Sequence, residues 1–198
     1  AIDTKKDIRK LKFDELKAFF VANGDKPFRA QQVYEWLWQK SCKDFDQMTN
    51  ISLPTRELLK QHFIINHIHV DNMQRSEDGT IKNAVKLHDG LIVESVLIPT
   101  EKRITACVSS QVGCSLDCKF CATARLKRMR NLNADEIYDQ VAAIKEQSEL
   151  FFGRPLTNIV FMGMGEPLLN YNNVVAAIEK ITSPKGLNMA ARRLTVST

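Results

Sequence analysis

The chain contains no uninterrupted apolar run of membrane-spanning length, so nothing in it signals a transmembrane helix. It has no internal repeat and no low-complexity tract, which sets repeat architectures and extended disorder aside. The opening AIDTKKDIRK lacks the apolar core of a secretory signal, and a cytoplasmic location is expected. Cysteine is scarce and unevenly placed: five in 198 residues, three of them clustered, which is not the pattern of a disulfide framework. Reduced thiols holding a metal fit a cytosolic chain better. There is no charge extreme either, since the net charge is +5. With 44% apolar and 26% charged residues, the composition is that of a globular protein long enough for one domain and a small second one.

What is present changes texture along the chain. FDELKAFFVANG carries Leu16, Phe19 and Phe20 on one helical face and stops at Gly24. RAQQVYEWLWQK sets Val33, Trp36 and Leu37 at helical spacing, and SLPTRELLKQHF places Pro54 in a first helical turn. The spacing predicts a compact helical module dotted with Lys26, Arg29, Lys40 and Lys43, with Trp36 and Trp38 in or beside its core. From residue 66 to 110 the rhythm is that of strands. IHVDNMQRS, TIKNAVKLHD, LIVESVLIP and RITACVSS alternate apolar and polar residues, and Asp-Gly at 78–79 and 89–90 marks hairpin turns. An antiparallel meander leading into a further strand is expected.

Beyond the cysteines the order is β/α. NADEIYDQVAAIKEQSEL reads as a helix capped by Asn133 with Glu136 at its third position, TNIVFMGMG as a buried strand, NNVVAAIEKI as a helix and RRLTVST as a strand. Parallel pairing through right-handed crossovers follows. The expected fold is therefore α/β. A helical domain over 1–78 precedes a core over 79–198, which holds a leading β-hairpin and the first part of a β/α barrel of the TIM-like kind. A closed barrel takes about 250 residues, and the last strand would lie at an open edge. The chain thus reads as the N-terminal part of a longer enzyme.

The chemistry concentrates in GCSLDCKFCATARLKRMRNL, with Cys114, Cys118 and Cys121 spaced C-x3-C-x2-C. Three close cysteines leave one over in any disulfide scheme. A zinc site would need a fourth ligand, such as Cys107 or His88. An iron–sulfur cubane held by three thiolates fits the count and leaves one iron open for a small chelating ligand. Between Lys102 and Arg130 stand seven basic residues, Lys102, Arg103, Lys119, Arg125, Lys127, Arg128 and Arg130, against Asp117 alone. Such a run would draw a polyanion, a nucleic acid or nucleotide, toward the cysteines. FMGMGEP, at the end of the next strand, offers glycines that allow close backbone approach and a carboxylate, Glu166, that could accept from an ammonium. In a β/α barrel, ligands bind at the strand ends that carry these segments.

The cysteine spacing, on a loop after the first strand of a β/α series, resembles the radical S-adenosylmethionine superfamily. The resemblance sharpens over KPFRAQQVYEWLW, VSSQVGCSLDCKFCAT, RNL, FMGMGEPLLNYNNV and RRLTVST. These are similar to the dual-specificity adenine-C2 methyltransferases of ribosomal and transfer RNA, from about Lys26 to the end. The resemblance implies a [4Fe–4S] cluster on Cys114, Cys118 and Cys121. It implies S-adenosylmethionine chelated to the open iron, with Gly165, Glu166 and Ser197 as cofactor contacts. In that family one cofactor molecule methylates an enzyme cysteine and a second supplies the radical that turns this methyl group onto C2 of adenine. By the same resemblance, Glu94 is the base that takes the proton from the reacting carbon. Cys107, a lone strand cysteine on its own reading, resolves the enzyme–RNA thioether by forming a disulfide. The helical front matches an accessory domain that helps bind RNA.

Partners implied are ribosomal RNA and transfer RNA, with an electron-donor protein to reduce the cluster; a monomer and no membrane are expected. The methyl-carrying cysteine lies near that family's C-terminus, and Cys42 of the helical front is in the wrong region to replace it. The 198 residues are therefore expected to be inactive in methyl transfer by themselves. Thr123–Ala124 and Lys127–Arg128 stand where the family has Thr-Gly and Gly-aromatic pairs. Two other readings share the same residues: an adenine-C8 methyltransferase of ribosomal RNA, and a non-catalytic, metal-stabilised RNA-binding module.

Overall fold

The computed structural model of the chain describes residues 5–113 and 129–198. It divides into two units, Ala1–Asn66 with Lys185–Leu187, and His67–Pro184 with Asn188–Thr198. In the first unit a two-residue strand β1 (Lys6–Asp7) precedes helices α1 (Phe13–Ala22), α2 (Phe28–Trp38) and α3 (Leu53–His62), and β2 (Phe63–Ile64) pairs parallel with β1. The helix ends are set by local hydrogen bonds, and Gly24 stops α1 as the sequence reading expects. The backbone N–H of Lys12 donates to the Glu15 carboxylate at 3.1 Å, Ser52 Oγ accepts from the Thr55 N–H, and Gly24 takes φ +75° just beyond α1. Leu16, Phe20, Val33, Leu37, Trp38, Met48 and Leu59 fill the interior. Trp36 stays half-buried, its Nε1 donating to Asn50 Oδ1 at 2.6 Å.

The second unit is one six-stranded sheet with helices on one face. Strands β3 (His69–Arg75), β4 (Ile81–Lys86), β5 (Ile92–Pro99) and β6 (Ile104–Cys107) run antiparallel in sequence. A short pair, β7 (Gln111–Val112) with β8 (Arg130–Asn131), follows. Helix α4 (Ala134–Phe152), strand β9 (Asn158–Phe161), helix α5 (Tyr171–Thr182) and strand β10 (Leu194–Val196) complete the unit. The strand order is β10-β9-β6-β5-β4-β3, and β6, β9 and β10 are parallel. The meander and the β/α series are thus one sheet, with β6 the strand at which the direction changes. Residue 78 lies in the turn between β3 and β4, where the Gly79 N–H donates to the Ser76 carbonyl.

Period-two alternation divides the two faces of the sheet. Ile81, Val85, Val93, Leu97, Ile104, Ala106, Ile159 and Phe161 are buried, on the side against which Ile137, Val141 and Ile144 of α4 and Val174, Ala177 and Ile181 of α5 are also buried. Lys82, Glu94, Val96, Ile98, Cys107 and Val160 alternate with them on the opposite, more open face. This is the architecture expected of a partial barrel: an open, uncurled β/α sheet, preceded in sequence by a helical module.

Candidate cofactor and cluster site

The parallel strands β6, β9 and β10 end along one edge of the sheet, and that edge is where the sequence places its chemistry. The segment leaving β6 and the segment leaving β9 are laced together. The Val108 N–H donates to the Val160 carbonyl, the Gly163 N–H to the Val108 carbonyl, and the Ser110 N–H to the Met164 carbonyl at 2.9 Å. Ser109 Oγ donates to the Glu94 carbonyl at 2.6 Å and accepts from the Met164 N–H at 2.8 Å. Gln140 of α4 brackets the Ser109 backbone, its Oε1 accepting the N–H at 2.9 Å and its Nε2 donating to the carbonyl at 3.0 Å. Asn170 Nδ2 donates to the carbonyls of Ser110 and Leu132. Ser109, Gln111, Gln140 and Asn170 are all nearly inaccessible, so their hydrogen bonds form a satisfied buried network that fixes this edge. The sequence reading passes over these residues. The signal was there, since the polar run Ser109–Gln111 directly precedes Gly113 and the first cysteine.

The glycines of FMGMGEP owe their identity to this lacing. A Cβ on Gly163 would come within 2.6 Å of Ser109 Oγ and 2.7 Å of the Val108 carbonyl oxygen. Gly165 has φ +95°, and a Cβ there would lie 2.7 Å from Gln111 Cγ. Close approach is required, but where the sequence reading has a ligand approaching, the atoms that crowd these glycines belong to the segment leaving β6 toward the cysteines. Glu166 follows at once. Its backbone N–H donates to Gln111 Oε1 at 2.9 Å, its carboxylate accepts from the Leu168 N–H at 3.0 Å, and it stays partly open to solvent. Ser197 follows Val196, which is paired with Phe161, so it stands on the same edge, half-exposed.

Cys107 ends β6, paired with Val96 and Val160. Burial pushes its thiol up, a backbone hydrogen bond at Met162 opposes that, and the Glu94 carboxylate adds to the rise. It is therefore a thiol at neutral pH. Glu94 lies two residues from Val96, the partner of Cys107, on the same open face of β5, exposed, with Lys82 Nζ 4.0 Å from its carboxylate. The structure thus brings Glu94, Cys107, Gly165, Glu166 and Ser197 to one edge. Cys114, Cys118 and Cys121 lie outside the described residues, as does the departure at 123–128. Their flanks do not. β7 and β8 pair antiparallel, Gln111 with Asn131 and Val112 with Arg130, and the Met129 N–H donates to the Val112 carbonyl. The segment bearing the cysteines thus starts and ends beside the strand ends.

The basic run does not stay together in space. Lys102 and Arg103 sit before β6, at the end of that strand remote from Cys107. Arg130 is committed inside the fold, its guanidinium donating to both Glu136 oxygens at 2.7 and 2.8 Å and to Asp89 at 2.7 Å. Glu136 also caps α4 through the Asn133 N–H, and His88 Nδ1 lies 3.7 Å from it. Contiguity in sequence overstated the positive field, because two of the seven cations point from the far edge and one is neutralised by buried carboxylate. Lys119, Arg125, Lys127 and Arg128 lie outside the described residues.

Residues 6–65 match the ribosomal RNA large subunit methyltransferase N-terminal domain, and residues 108–198 match the radical SAM superfamily. The chain is 72% identical over 196 residues to a probable dual-specificity RNA methyltransferase RlmN of Christiangramia forsetii, covering 99% of this chain and 56% of that protein. To the dual-specificity RNA methyltransferase RlmN of Geotalea uraniireducens it is 45% identical, over 98% of this chain and 55% of that one. This chain belongs to the RlmN-type radical SAM family. A crystal structure of a radical SAM methyltransferase from Sphaerobacter thermophilus superposes with a TM-score of 0.87 at 36% identity, covering 98% of this chain and 57% of that one. The chain spans about half the length of the RlmN proteins it matches. Among the described residues, no helix is long and apolar enough to cross a membrane.

Proposed function

We propose that, at the length of its relatives, this protein is a radical SAM methyltransferase acting on C2 of adenine in 23S ribosomal RNA and in transfer RNA through a methyl-cysteine intermediate. The observation that carries the proposal is spatial. A three-thiolate segment is flanked by β7 and β8 at the sheet edge that also presents Gly165, Glu166 and Ser197. The donor set suits a [4Fe–4S] cluster, because three thiolates leave one iron without a protein ligand. The edge suits S-adenosylmethionine, because Glu166 offers a partly open carboxylate held in place through its own N–H. Cys114, Cys118 and Cys121 would hold the cluster, and Gly165, Glu166 and Ser197 the cofactor. When bound, these groups supply one-electron chemistry able to open an unactivated C–H bond.

The chain's own residues supply the rest. Glu94, exposed on the open face, takes a proton from the reacting ring carbon. Cys107, two register positions away on that face, is kept protonated until a disulfide is needed to release the RNA. The helical unit helps bind RNA, an electron-donor protein reduces the cluster, and the enzyme works as a cytoplasmic monomer. Anaerobic purification of the full-length protein tests this. A brown protein that forms 5′-deoxyadenosine with S-adenosylmethionine and a reductant, and methylates ribosomal RNA at C2 of adenine, is expected. A colourless protein with stoichiometric zinc overturns the proposal in favour of a metal-stabilised RNA-binding module. Product methylated at C8 overturns the regiochemistry alone.

A further inference from the structure

One fully buried side chain joins the parts of this site that must act together. Gln111 Oε1 accepts the Glu166 N–H at 2.9 Å, and Gln111 Nε2 donates to Asn131 Oδ1 at 2.8 Å. The Gln111 backbone N–H donates to the Met164 carbonyl at 3.2 Å, and its Cβ and Cγ fill the space that a side chain at Gly165 would need. Gln111 begins β7, two residues before Gly113; its partner Asn131 is on β8, two residues after Met129. A single amide therefore fixes both flanks of the cysteine segment and the backbone of Glu166.

We infer that Gln111 is a positioning residue that sets the spacing between the cysteine segment and the Glu166 carboxylate, so that one S-adenosylmethionine molecule can be held by both. The inference rests on the function proposed above. A ligand gripped at two places binds tightly only when the two are preorganised at its own length, and an error of about 1 Å in that spacing weakens binding. The amide suits the task because it offers one acceptor and one donor in a fixed plane, carries no charge to bury and has both groups satisfied here. A hydrocarbon at 111 would fill the volume while releasing the Glu166 N–H and Asn131. The cysteines would keep their thiolates, so the loss should fall on cofactor affinity and leave cluster retention intact.

The test uses the full-length protein, purified anaerobically with its cluster, as wild type and as Gln111→Leu and Asn131→Leu. Iron content, thermal unfolding and the dissociation constant for S-adenosylmethionine by equilibrium dialysis are measured on each. The electron paramagnetic resonance spectrum of the reduced cluster is recorded with and without S-adenosylmethionine. Wild type should bind four irons and show a spectrum altered by the cofactor; failure there overturns the proposed function, and this inference with it. Gln111→Leu should keep its iron, bind S-adenosylmethionine about tenfold or more weakly and show a smaller spectral response. Wild-type affinity and response in Gln111→Leu overturn the inference. Should Gln111→Leu lose its iron or unfold, Asn131→Leu decides. That side chain is half-exposed, and its loss frees the Asn131 end of the bridge and a long contact to the Leu169 carbonyl while leaving the Gln111 bond to the Glu166 N–H in place. A several-fold weaker affinity at full iron content then supports the positioning role, and unchanged affinity overturns it.

Discussion

At the residue scale the two described free cysteines differ in what their surroundings allow. Cys42 is buried in the helical unit, where loss of solvent pushes its thiol up to about 12, with Arg9 pulling the other way and Asp44 adding to the rise. Its folded pKa lies above the unfolded value of about 8.5. The stability it contributes is therefore complete below about pH 8.5 and is lost as pH rises toward 12. Denaturant unfolding at pH 7 and pH 11 should show an alkaline loss that shrinks in Cys42→Ala. Cys107 is half-buried and should react with iodoacetamide at pH 8 more slowly than free cysteine. Glu94→Gln should speed that reaction, because it removes the carboxylate that adds to the rise; an unchanged labelling rate would exclude this electrostatic link. Gly165→Ala meets both a left-handed backbone and Gln111, so a loss of about 1–3 kcal/mol is expected, read as a thermal midpoint some 3–10 °C lower.

Among the elements, the link between the β4–β5 turn, β8 and the start of α4 is held by Arg130. Its bidentate pairing with Glu136, which is buried, joins β8 to the nearby start of α4, and its bond to Asp89 ties both to a turn some forty residues earlier. Arg130→Ala would leave the Glu136 carboxylate buried with only its cap bond and the flanking His88. A loss of about 3 kcal/mol in chemical denaturation is expected. Arg130→Lys should recover little, since an ammonium cannot match both carboxylate oxygens and reach Asp89 as well. The Arg130 hydrogen bond holds the Asp89 carboxyl below the usual carboxylate range. Its contribution is present above the unfolded value of about 3.9 and is lost as pH falls through the depressed folded value. An acid titration of stability should therefore flatten in Asp89→Asn below about pH 4, and an unaltered acid limb would count against the pairing.

For the whole molecule, the open face of the sheet and the edge of β10 set the expectation for residues 1–198 taken alone. Ile92 and Ile98 are exposed on the face that carries Glu94 and Cys107, and Val196 is exposed on the edge strand β10. This span should yield no methylated ribosomal RNA in a mass-spectrometric assay, whereas the full-length protein should; methylation by the span alone would overturn the need for a later cysteine. The sequence by itself determined much of this. Helical spacing, the Asn133 cap and the Asp-Gly turns are local signals, written within a few residues, so α1 to α5 and the strands β3 to β6, β9 and β10 were legible, whereas the two-residue pair β7–β8 was not. The C-x3-C-x2-C spacing and the Gly-Glu segment were legible as chemistry for the same reason. Tertiary structure alone decided that the meander and the β/α series form one sheet, because pairing β6 with β9 joins residues separated by some fifty positions. It alone decided that Arg130 serves Glu136 rather than a polyanion. It also decided that the glycines of FMGMGEP are shaped by Ser109 and Gln111, because contacts between distant segments leave no periodic mark on either.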